Sequence, residues 1–189
     1  MKSVSIGIIG YGTVGQGVVE VLTQNAREIE RRGGYQIHIK KVAKRSWVGI
    51  DTAALPFECT DDAMTVVNDP EIQIILELMG GDEPAKTLIE TAVTNRKHVI
   101  TGNKALIAKH GQSLFELARA NEVELSYEAS VAGGIPVIKL LREALTANAI
   151  SSVAGIINGT GNFILTAMTE QGRQFDDVLK EAQALGYAE

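Results

Sequence analysis

The sequence of 189 residues is poor in the features that mark several protein classes. A single cysteine excludes a disulfide framework within one chain and a zinc site built from several thiolates. The histidines have no spacing typical of metal ligands; they are His38, His98 and His110. No apolar run approaches the roughly 20 residues that a membrane-spanning helix needs. We therefore expect no membrane partner, and an N-terminus without a secretory signal pattern gives a cytoplasmic location as the default.

Basic residues are also too few to suggest a nucleic-acid partner. The chain has 18 Lys and Arg against 23 Asp and Glu, a formal net charge of −5. The hydrophobic fraction of 45% and the charged fraction of 22% are typical of a globular protein. The length corresponds to one ordinary domain, or to one domain and part of a second.

Short apolar runs alternate with segments of helical periodicity, which predicts βαβ units. The predicted strands are Val4–Ile9, Ile37–Ala43, Leu55–Glu58, Ile72–Met79, His98–Thr101, Val123–Ala129 and Val153–Ile157. The predicted helices are Val14–Arg32, Ala63–Asn68, Glu83–Asn95, Gln112–Ala120, Pro136 to about Thr146, Phe163–Glu170 and Phe175–Ala184. This pattern indicates the α/β class, with a Rossmann-type doubly wound parallel sheet over residues 1–131. Residues 132–189 would begin an α+β substrate domain that the chain does not complete.

The segment Gly10–Gly15 (GYGTVG) has the G-x-G-x-x-G spacing. It lies between a predicted strand and an amphipathic helix, which is the context that a dinucleotide-binding loop requires. Gly10 would permit the tight turn, Gly12 the close approach of a diphosphate, and Gly15 the packing of helix on strand. Backbone N–H groups at the helix N-terminus would hold the diphosphate. The alternative, a glycine turn without a ligand, is disfavoured by the flanking elements.

The end of the second predicted strand bears on the choice between NAD and NADP. NAD-specific sites usually carry an acidic residue there, which accepts hydrogen bonds from the ribose hydroxyls. Here Lys44 and Arg45 precede Ser46, and no acidic residue follows until Asp51. Two cations and a hydroxyl suit a 2′-phosphate. We therefore predict NADP as the preferred cofactor, with NAD and a solvated basic turn as the alternatives.

Two charged residues follow later strands at the expected carboxyl edge of the sheet. Glu77 lies near the end of Ile72–Met79, where it can either take part in the site or face a helix N-terminus. Lys104 follows His98–Thr101, where its ammonium group can donate to a substrate oxygen or transfer a proton. A surface or helix-capping lysine is the alternative, and position alone does not decide between the two.

Six segments together resemble the homoserine dehydrogenase family, in the family's order and across the whole chain. They are Ile6–Gly15 (IGIIGYGTVG), Leu76–Gly81 (LELMGG), Lys97–Leu106 (KHVITGNKAL), Tyr127–Pro136 (YEASVAGGIP), Ala154–Leu165 (AGIINGTGNFIL) and Leu179–Glu189 (LKEAQALGYAE). The last four are family-specific, whereas the first two also suit other dehydrogenases. The resemblance implies reversible reduction of aspartate 4-semialdehyde to homoserine with NAD(P)H, in threonine and methionine biosynthesis. It also implies a homodimer or higher oligomer for the full-length protein.

The resemblance also implies roles for individual residues. Thr13 and Val14 match the loop on the diphosphate, and Gly186 matches a further cofactor contact. Lys104 matches a lysine beside cofactor and substrate, and Glu189 matches the acid that binds the amino or hydroxyl end of homoserine. A sodium or potassium site is implied at residues that would supply one carboxylate and several loop carbonyls. These residues are Glu128, Val131, Gly133 and Ile135.

In the family, a substrate-binding Asp and a proton-donating Lys follow the position of Glu189. Because the sequence ends there, the resemblance implies a cofactor module with half a substrate site, which binds dinucleotide without full activity. Two alternatives stay open. A semialdehyde dehydrogenase would need a nucleophilic cysteine, for which Cys59 is the only candidate. The other alternative is a regulatory module that binds NADP without catalysis.

Overall fold

A computed structural model describes residues 2–188, and its first part is a six-stranded parallel sheet. The strands are β1 (Lys2–Ile9), β2 (Tyr35–Ala43), β3 (Glu58–Thr60), β4 (Ile74–Glu77), β5 (His98–Thr101) and β6 (Leu125–Ser126). They pair in parallel in the order β3-β2-β1-β4-β5-β6. The order reverses between β1 and β4, which is the switch point of a doubly wound fold. The predicted α/β class and the Rossmann-type sheet are therefore confirmed.

Helices connect most of the strands and also follow the last one. They are α1 (Thr13–Gln24), α2 (Ala26–Gly33), α3 (Ala63–Val67), α4 (Ala85–Thr94), α5 (Lys104–Ala120), α6 (Val137–Lys139), α7 (Gly159–Gln171) and α8 (Phe175–Ala184). Within residues 2–188, no helix combines the length and the hydrophobicity of a membrane span. The chain divides into two compact units, residues 1–133 and residues 134–189.

Consecutive residues of a strand belong to two separate hydrophobic clusters, because consecutive side chains point to opposite faces of the sheet. Ile9 and Ile75 belong to the cluster that α3, α4 and α5 complete. Ile8 and Leu76 belong to the cluster that α1 and the segment around Phe57 complete. Both faces of the parallel sheet are therefore covered, as buried parallel strands require. In the second unit, α7 and α8 form a third cluster from Ile164, Ala167, Val178 and Ala182.

Two predicted helices were wrong in their bounds. The predicted helix Val14–Arg32 is two helices that meet at Asn25, whose backbone (φ −100°, ψ 13°) leaves the helical region. The helix predicted to begin at Gln112 begins already at Lys104. Gly111 lies inside this helix. A Cβ there would lie 3.2 Å from the Phe115 ring, so the absence of a side chain lets that ring pack against the helix.

Three elements after residue 120 are shorter than predicted or absent. The predicted strand Val123–Ala129 is reduced to β6, because a 3₁₀ turn begins at Glu128. The helix predicted from Pro136 is α6 followed by a π-helical turn, Leu140–Ala144. Val153–Ile157 forms no strand, since a strand needs a hydrogen-bonded neighbour and none of residues 2–188 pairs with it.

Candidate functional site

The glycine loop between β1 and α1 has three glycines in three different environments. Gly10 has φ +103° and donates its N–H to the Ala43 carbonyl at 3.0 Å, while a Cβ there would lie 2.5 Å from the Leu78 oxygen. A Cβ on Gly15 would lie 2.2 Å from the Gly10 oxygen. A Cβ on Gly12 would meet no atom within 4 Å. The fold itself therefore requires Gly10 and Gly15, whereas Gly12 leaves space on the open side of the loop.

The start of α1 is open at this loop. Thr13 and Val14 are its first two residues and are both exposed. Gly12 precedes them and brings no side chain to cap their N–H groups. Because the N-terminus of a helix carries partial positive charge and N–H groups without intrahelical partners, this arrangement can bind an anion such as a diphosphate.

An aromatic cluster joins the glycine loop to the basic turn after β2. The Tyr11 ring lies 5.4 Å from the Trp47 ring and 5.7 Å from the Phe57 ring, centroid to centroid. Trp47 Nε1 donates to the Thr60 carbonyl at 2.9 Å, which anchors the turn to β3. Sequence reasoning missed this cluster; an aromatic residue between two loop glycines was the signal that could have suggested it.

The same cluster contacts one of the two cations of the basic turn. Lys44 Nζ lies 5.9 Å from the centroid of the Trp47 ring, so the ring supports the ammonium group by a cation–π contact. Arg45 is exposed. The turn therefore presents a Lys44 held by an aromatic ring and an Arg45 that is open to solvent, next to the glycine loop.

Glu77, at the end of β4, is completely buried. Its Oε1 accepts from the Met79 N–H at 2.8 Å, and its Oε2 accepts from Thr101 Oγ1 at 2.5 Å. Burial raises the pKa of the Glu77 carboxyl, and hydrogen bonds from Thr101, Met79 and Asn103 oppose that rise. The sequence left open whether Glu77 takes part in the site or faces a helix N-terminus. In the structure its carboxyl group is closed off from solvent and joins β4 to the end of β5.

Lys104 is the first residue of α5, directly after the carboxyl end of β5. The preceding Asn103 caps this helix, because its Oδ1 accepts from the Leu106 N–H at 3.1 Å. The Lys104 side chain is exposed and makes no hydrogen bond or ion pair with the rest of residues 2–188. Since β1, β4 and β5 are neighbours, the glycine loop, the loop after Glu77 and Lys104 follow one another along the carboxyl edge of the sheet.

Only part of the implied cation site lies within the first unit. The Val131 N–H donates to the Glu128 carbonyl at 3.1 Å, so the two residues close one turn. Ser130 Oγ ties this turn to β5 by donating to the Thr101 carbonyl at 2.9 Å. Gly133 has φ +59° and ends the first unit, whereas Ile135 belongs to the second.

The two remaining residues implied by the resemblance come near the end of the sequence. Gly186 lies in the turn after α8, with φ +76° and its N–H directed to the Gln183 carbonyl at 3.1 Å. Thr160, in the first turn of α7, donates its hydroxyl to the Tyr187 carbonyl and so joins this turn to α7. Glu189 lies outside the described residues.

Cys59 is a poor candidate for a nucleophile at this edge. It lies in the middle of β3, which β2 and β1 separate from β4. Burial raises the pKa of its thiol, so the reactive thiolate is disfavoured. Its Sγ packs in the cluster that contains Phe57. These observations disfavour the semialdehyde dehydrogenase alternative.

A parallel sheet of this order, with an open glycine loop after its first strand, defines an α/β protein of the dinucleotide-binding class. A family model described as the homoserine dehydrogenase NAD-binding domain matches residues 10–128. A second, described as homoserine dehydrogenase, matches residues 136–189. The chain therefore belongs to the homoserine dehydrogenase family and carries the NAD(P)-binding domain of that family.

Individual relatives agree with this assignment. The homoserine dehydrogenase of Pseudomonas aeruginosa is 54% identical, over 100% of this chain and 43% of its own length. The Bacillus subtilis homoserine dehydrogenase is 40% identical, over 100% of this chain and 44% of its own length. The chain thus spans less than half of either curated relative.

Solved structures give the same result. The crystal structure of a homoserine dehydrogenase from Thiobacillus denitrificans matches with a TM-score of 0.92 and 52% identity, over 100% of this chain and 44% of that one. A hyperthermophilic archaeal homoserine dehydrogenase in complex with NADPH matches with a TM-score of 0.81 and 26% identity, over 98% of this chain and 62% of that one.

Proposed function

We propose that this chain is the cofactor-binding part of an enzyme that interconverts aspartate 4-semialdehyde and homoserine with NAD(P)H. The observation that carries the proposal is the open space at Gly12 beside the exposed start of α1, in a chain of the homoserine dehydrogenase family. The nicotinamide cofactor would supply the hydride that turns the aldehyde carbon into an alcohol carbon. The protein must then bind and orient the two molecules and provide a proton for the carbonyl oxygen.

Within this proposal, the diphosphate binds across the glycine loop. Gly10 and Gly15 hold the loop in shape, and the N–H groups of Thr13 and Val14 donate to the phosphate oxygens. The family resemblance further implies a cofactor contact at Gly186. Gly186 rests on the family resemblance alone, whereas the other four rest also on the loop geometry.

Lys104 would act at the chemical end of the same site. Its exposed ammonium group stands at the carboxyl edge of β5, next to the strand that follows the switch point. An ammonium group there would hydrogen-bond the substrate and stabilise the charge that develops on the carbonyl oxygen. Glu189 would bind the amino or hydroxyl end of homoserine.

This role of Lys104 is testable in a chimera. Residues 1–189 would replace the matching segment of the 54% identical Pseudomonas aeruginosa enzyme. We expect Lys104→Ala to lower kcat/KM at least about 100-fold, the scale of a lost catalytic group. Arg119→Ala, which removes the same charge from an exposed position in the last turn of the same helix, is the matched control. Equal activity of the two variants would reduce Lys104 to a surface lysine.

We further propose that NADP is preferred over NAD. Lys44, supported by the Trp47 ring, and the exposed Arg45 would both donate to a 2′-phosphate. Each charge-assisted hydrogen bond contributes about 1.5–3 kcal/mol, so a preference of roughly 10- to 100-fold is expected. No carboxylate follows in the turn to attract the ribose hydroxyls instead.

The cofactor preference is tested by titrating the chain with NADPH and with NADH. Trp47 is the only tryptophan and contacts the glycine-loop residue Tyr11, so its fluorescence reports binding. Arg45→Ala should remove most of the preference and leave NADH affinity unchanged. Arg27→Ala, which removes the same charge from an exposed position of α2, is the control. Equal affinities for both cofactors in the wild type would contradict the proposal.

A sodium or potassium ion would bind at Glu128, Val131, Gly133 and Ile135. One carboxylate with backbone carbonyls is a donor set that suits a hard monovalent cation. The left-handed backbone at Ala132 and Gly133 favours a sharp loop there. A crystal grown with rubidium tests this by anomalous scattering. Density at this loop without oxygen atoms at coordination distance would contradict it.

The 189-residue chain by itself should bind NADPH without turning over homoserine, because the resemblance assigns further substrate-binding and proton-donating residues to positions after Glu189. Detectable homoserine oxidation by this chain would contradict that proposal. A chimera that binds NADPH but never oxidises homoserine would favour the non-enzymatic regulatory module instead. For the complete enzyme we propose a homodimer or higher oligomer in the cytoplasm, to be tested by light scattering and cell fractionation.

A further inference from the structure

Glu77 is the centre of a buried hydrogen-bond network that the proposed reaction does not use. Its side chain and that of Thr101 are fully buried, and the Asn103 residue is 5% exposed. The three residues lie at the end of β4, at the end of β5 and at the cap of α5. Glu77 and Thr101 lie side by side, because they are paired residues of the neighbouring strands β4 and β5.

The network connects both loops at the carboxyl edge. Glu77 holds the Met79 N–H with one oxygen and the Thr101 hydroxyl with the other. Thr101 Oγ1 in turn accepts from the Asn103 N–H at 3.0 Å. Asn103 Nδ2 extends the network to the loop after β4 by donating to the Gly81 carbonyl at 2.7 Å. The loop after β4 and the start of α5 are therefore fixed to the same carboxylate.

Stability alone does not account for a carboxylate at this position. Removing a charge from water is costly, and an apolar pair of similar volume joins two strands at least as well. A carboxylate provides directional hydrogen bonds. Its two oxygens accept from two different segments and so fix the orientation of one segment relative to the other. The segments it orients carry the open loop after β4 and, one residue beyond Asn103, Lys104.

We propose that Glu77 is a positioning residue, which through Thr101 and Asn103 holds the loop at residues 78–82 and Lys104 in the geometry that receives the nicotinamide half of the cofactor. This inference rests on the proposed function, because it assumes that the nicotinamide half lies at this edge. The adenosine half would bind at the glycine loop and basic turn, whose residues take part in none of the hydrogen bonds of the network. Loss of the network should therefore weaken the contribution of the nicotinamide half alone.

Two substitutions interrupt the network at different points. Glu77→Gln keeps the shape but replaces one carboxylate oxygen by an amide group, which cannot accept from the Met79 N–H or the Thr101 hydroxyl. Thr101→Val removes the hydroxyl, whereas Thr101→Ser retains it and is the rescue variant. Thr94→Val is the matched control, since Thr94 is exposed and, within residues 2–188, its hydroxyl bonds only the Glu90 carbonyl of its own helix.

The experiment compares the affinity of each variant for NADPH and for 2′-phospho-ADP-ribose, which lacks the nicotinamide. We expect Glu77→Gln and Thr101→Val to weaken NADPH about tenfold, the loss expected when a buried hydrogen bond to a charged group is broken. Affinity for 2′-phospho-ADP-ribose should change less than about twofold. Thr101→Ser and Thr94→Val should match the wild type for both ligands.

A merely structural role predicts another pattern, because a destabilised fold would lose both ligands by the same factor. Equal loss of both ligands, or unchanged NADPH binding in Thr101→Val, would overturn the proposal while the proposed cofactor function stands. If the wild type bound neither ligand, the proposed function itself would fail. Should Glu77→Gln not fold, the Thr101→Val and Thr101→Ser pair decides alone.

A second measurement follows Lys104 directly. An amine-directed reagent is applied at saturating NADPH, and labelling of the peptide that contains Lys104 is measured by mass spectrometry. Bound NADPH should protect Lys104 at least about fivefold in the wild type and much less in Glu77→Gln, since the variant no longer fixes the start of α5. Equal protection in both proteins would contradict the positioning role.

Discussion

At the residue scale, the fold requires Gly15, whereas the proposed ligand requires Gly12. A Cβ at Gly15 would overlap the Gly10 carbonyl oxygen at 2.2 Å, whereas a Cβ at Gly12 would enter open space. We predict that Gly15→Ala destabilises the first unit by about 1–3 kcal/mol, the usual cost of overpacking. Gly12→Ala should leave stability unchanged and still weaken NADPH binding, because its methyl group blocks the approach of the diphosphate.

Urea unfolding and NADPH titration of the same two variants check this contrast. Gly17→Ala is a suitable control, because a Cβ there also meets no atom within 4 Å but lies one turn further along α1. Full NADPH affinity in Gly12→Ala would mean that the diphosphate does not cross the loop at this glycine.

Glu77 gives a second prediction, which concerns pH. Burial raises the pKa of its carboxyl above the ordinary value of 4.5, so the folded chain holds this proton more tightly than the unfolded chain does. The contribution of Glu77 to stability is therefore greatest below about pH 4.5 and falls as the pH rises towards its pKa in the folded state. Glu77→Gln has no such proton to lose.

Unfolding curves of the two proteins between about pH 4 and about pH 7 test this sign. The stability of the wild type minus that of Glu77→Gln should decrease as the pH rises. All other carboxyl groups are common to both proteins, so their titration cancels in the difference. A difference that stays flat or increases with pH would contradict the raised pKa.

At the scale of elements, local signals predicted most of the first unit. β1 and β5 were predicted from apolar runs next to glycine and turn residues, and the glycine loop from its spacing between strand and helix. The start of α5 at Lys104 was missed. The packing of Phe115 on Gly111 inside this helix is a contact that local periodicity does not reveal.

The features that the sequence did not predict depend on contacts between distant residues. Tyr11 meets Trp47 and Phe57 only after three strands have assembled, so its position between two glycines was a local signal that did not identify its partners. The buried hydrogen-bond network of Glu77 likewise forms only when β4 lies beside β5. Val153–Ile157 has the composition of a strand, but composition does not supply a pairing partner.

Helix α3 provides a prediction at this scale. It has only five residues and brings Val66 and Val67 into the core, so its start must be well defined. The Asp62 side chain caps it by accepting from the Met64 N–H at 2.9 Å. Asp62→Ala should cost about 1 kcal/mol of unfolding free energy, as lost N-caps do. Asp61→Ala, at the exposed preceding position, should stay within about 0.5 kcal/mol in the same urea titration.

At the scale of the whole molecule, the proposed residues are divided between two compact units. The glycine loop, the basic turn, Glu77 and Lys104 belong to residues 1–133, while Gly186 and Glu189 belong to residues 134–189. The proposed cofactor contacts are therefore concentrated in the first unit, and most of them lie within the family domain that matches residues 10–128. We therefore expect this chain to bind the dinucleotide rather than to turn over substrate.

The most direct test is a calorimetric titration of the 189-residue chain with NADPH. The account predicts saturable binding with one site per chain, because a doubly wound sheet offers one switch point beside one glycine loop. A flat titration from a chain whose circular dichroism and cooperative unfolding prove it to be folded would contradict the central claim that this unit is built to hold a nicotinamide dinucleotide.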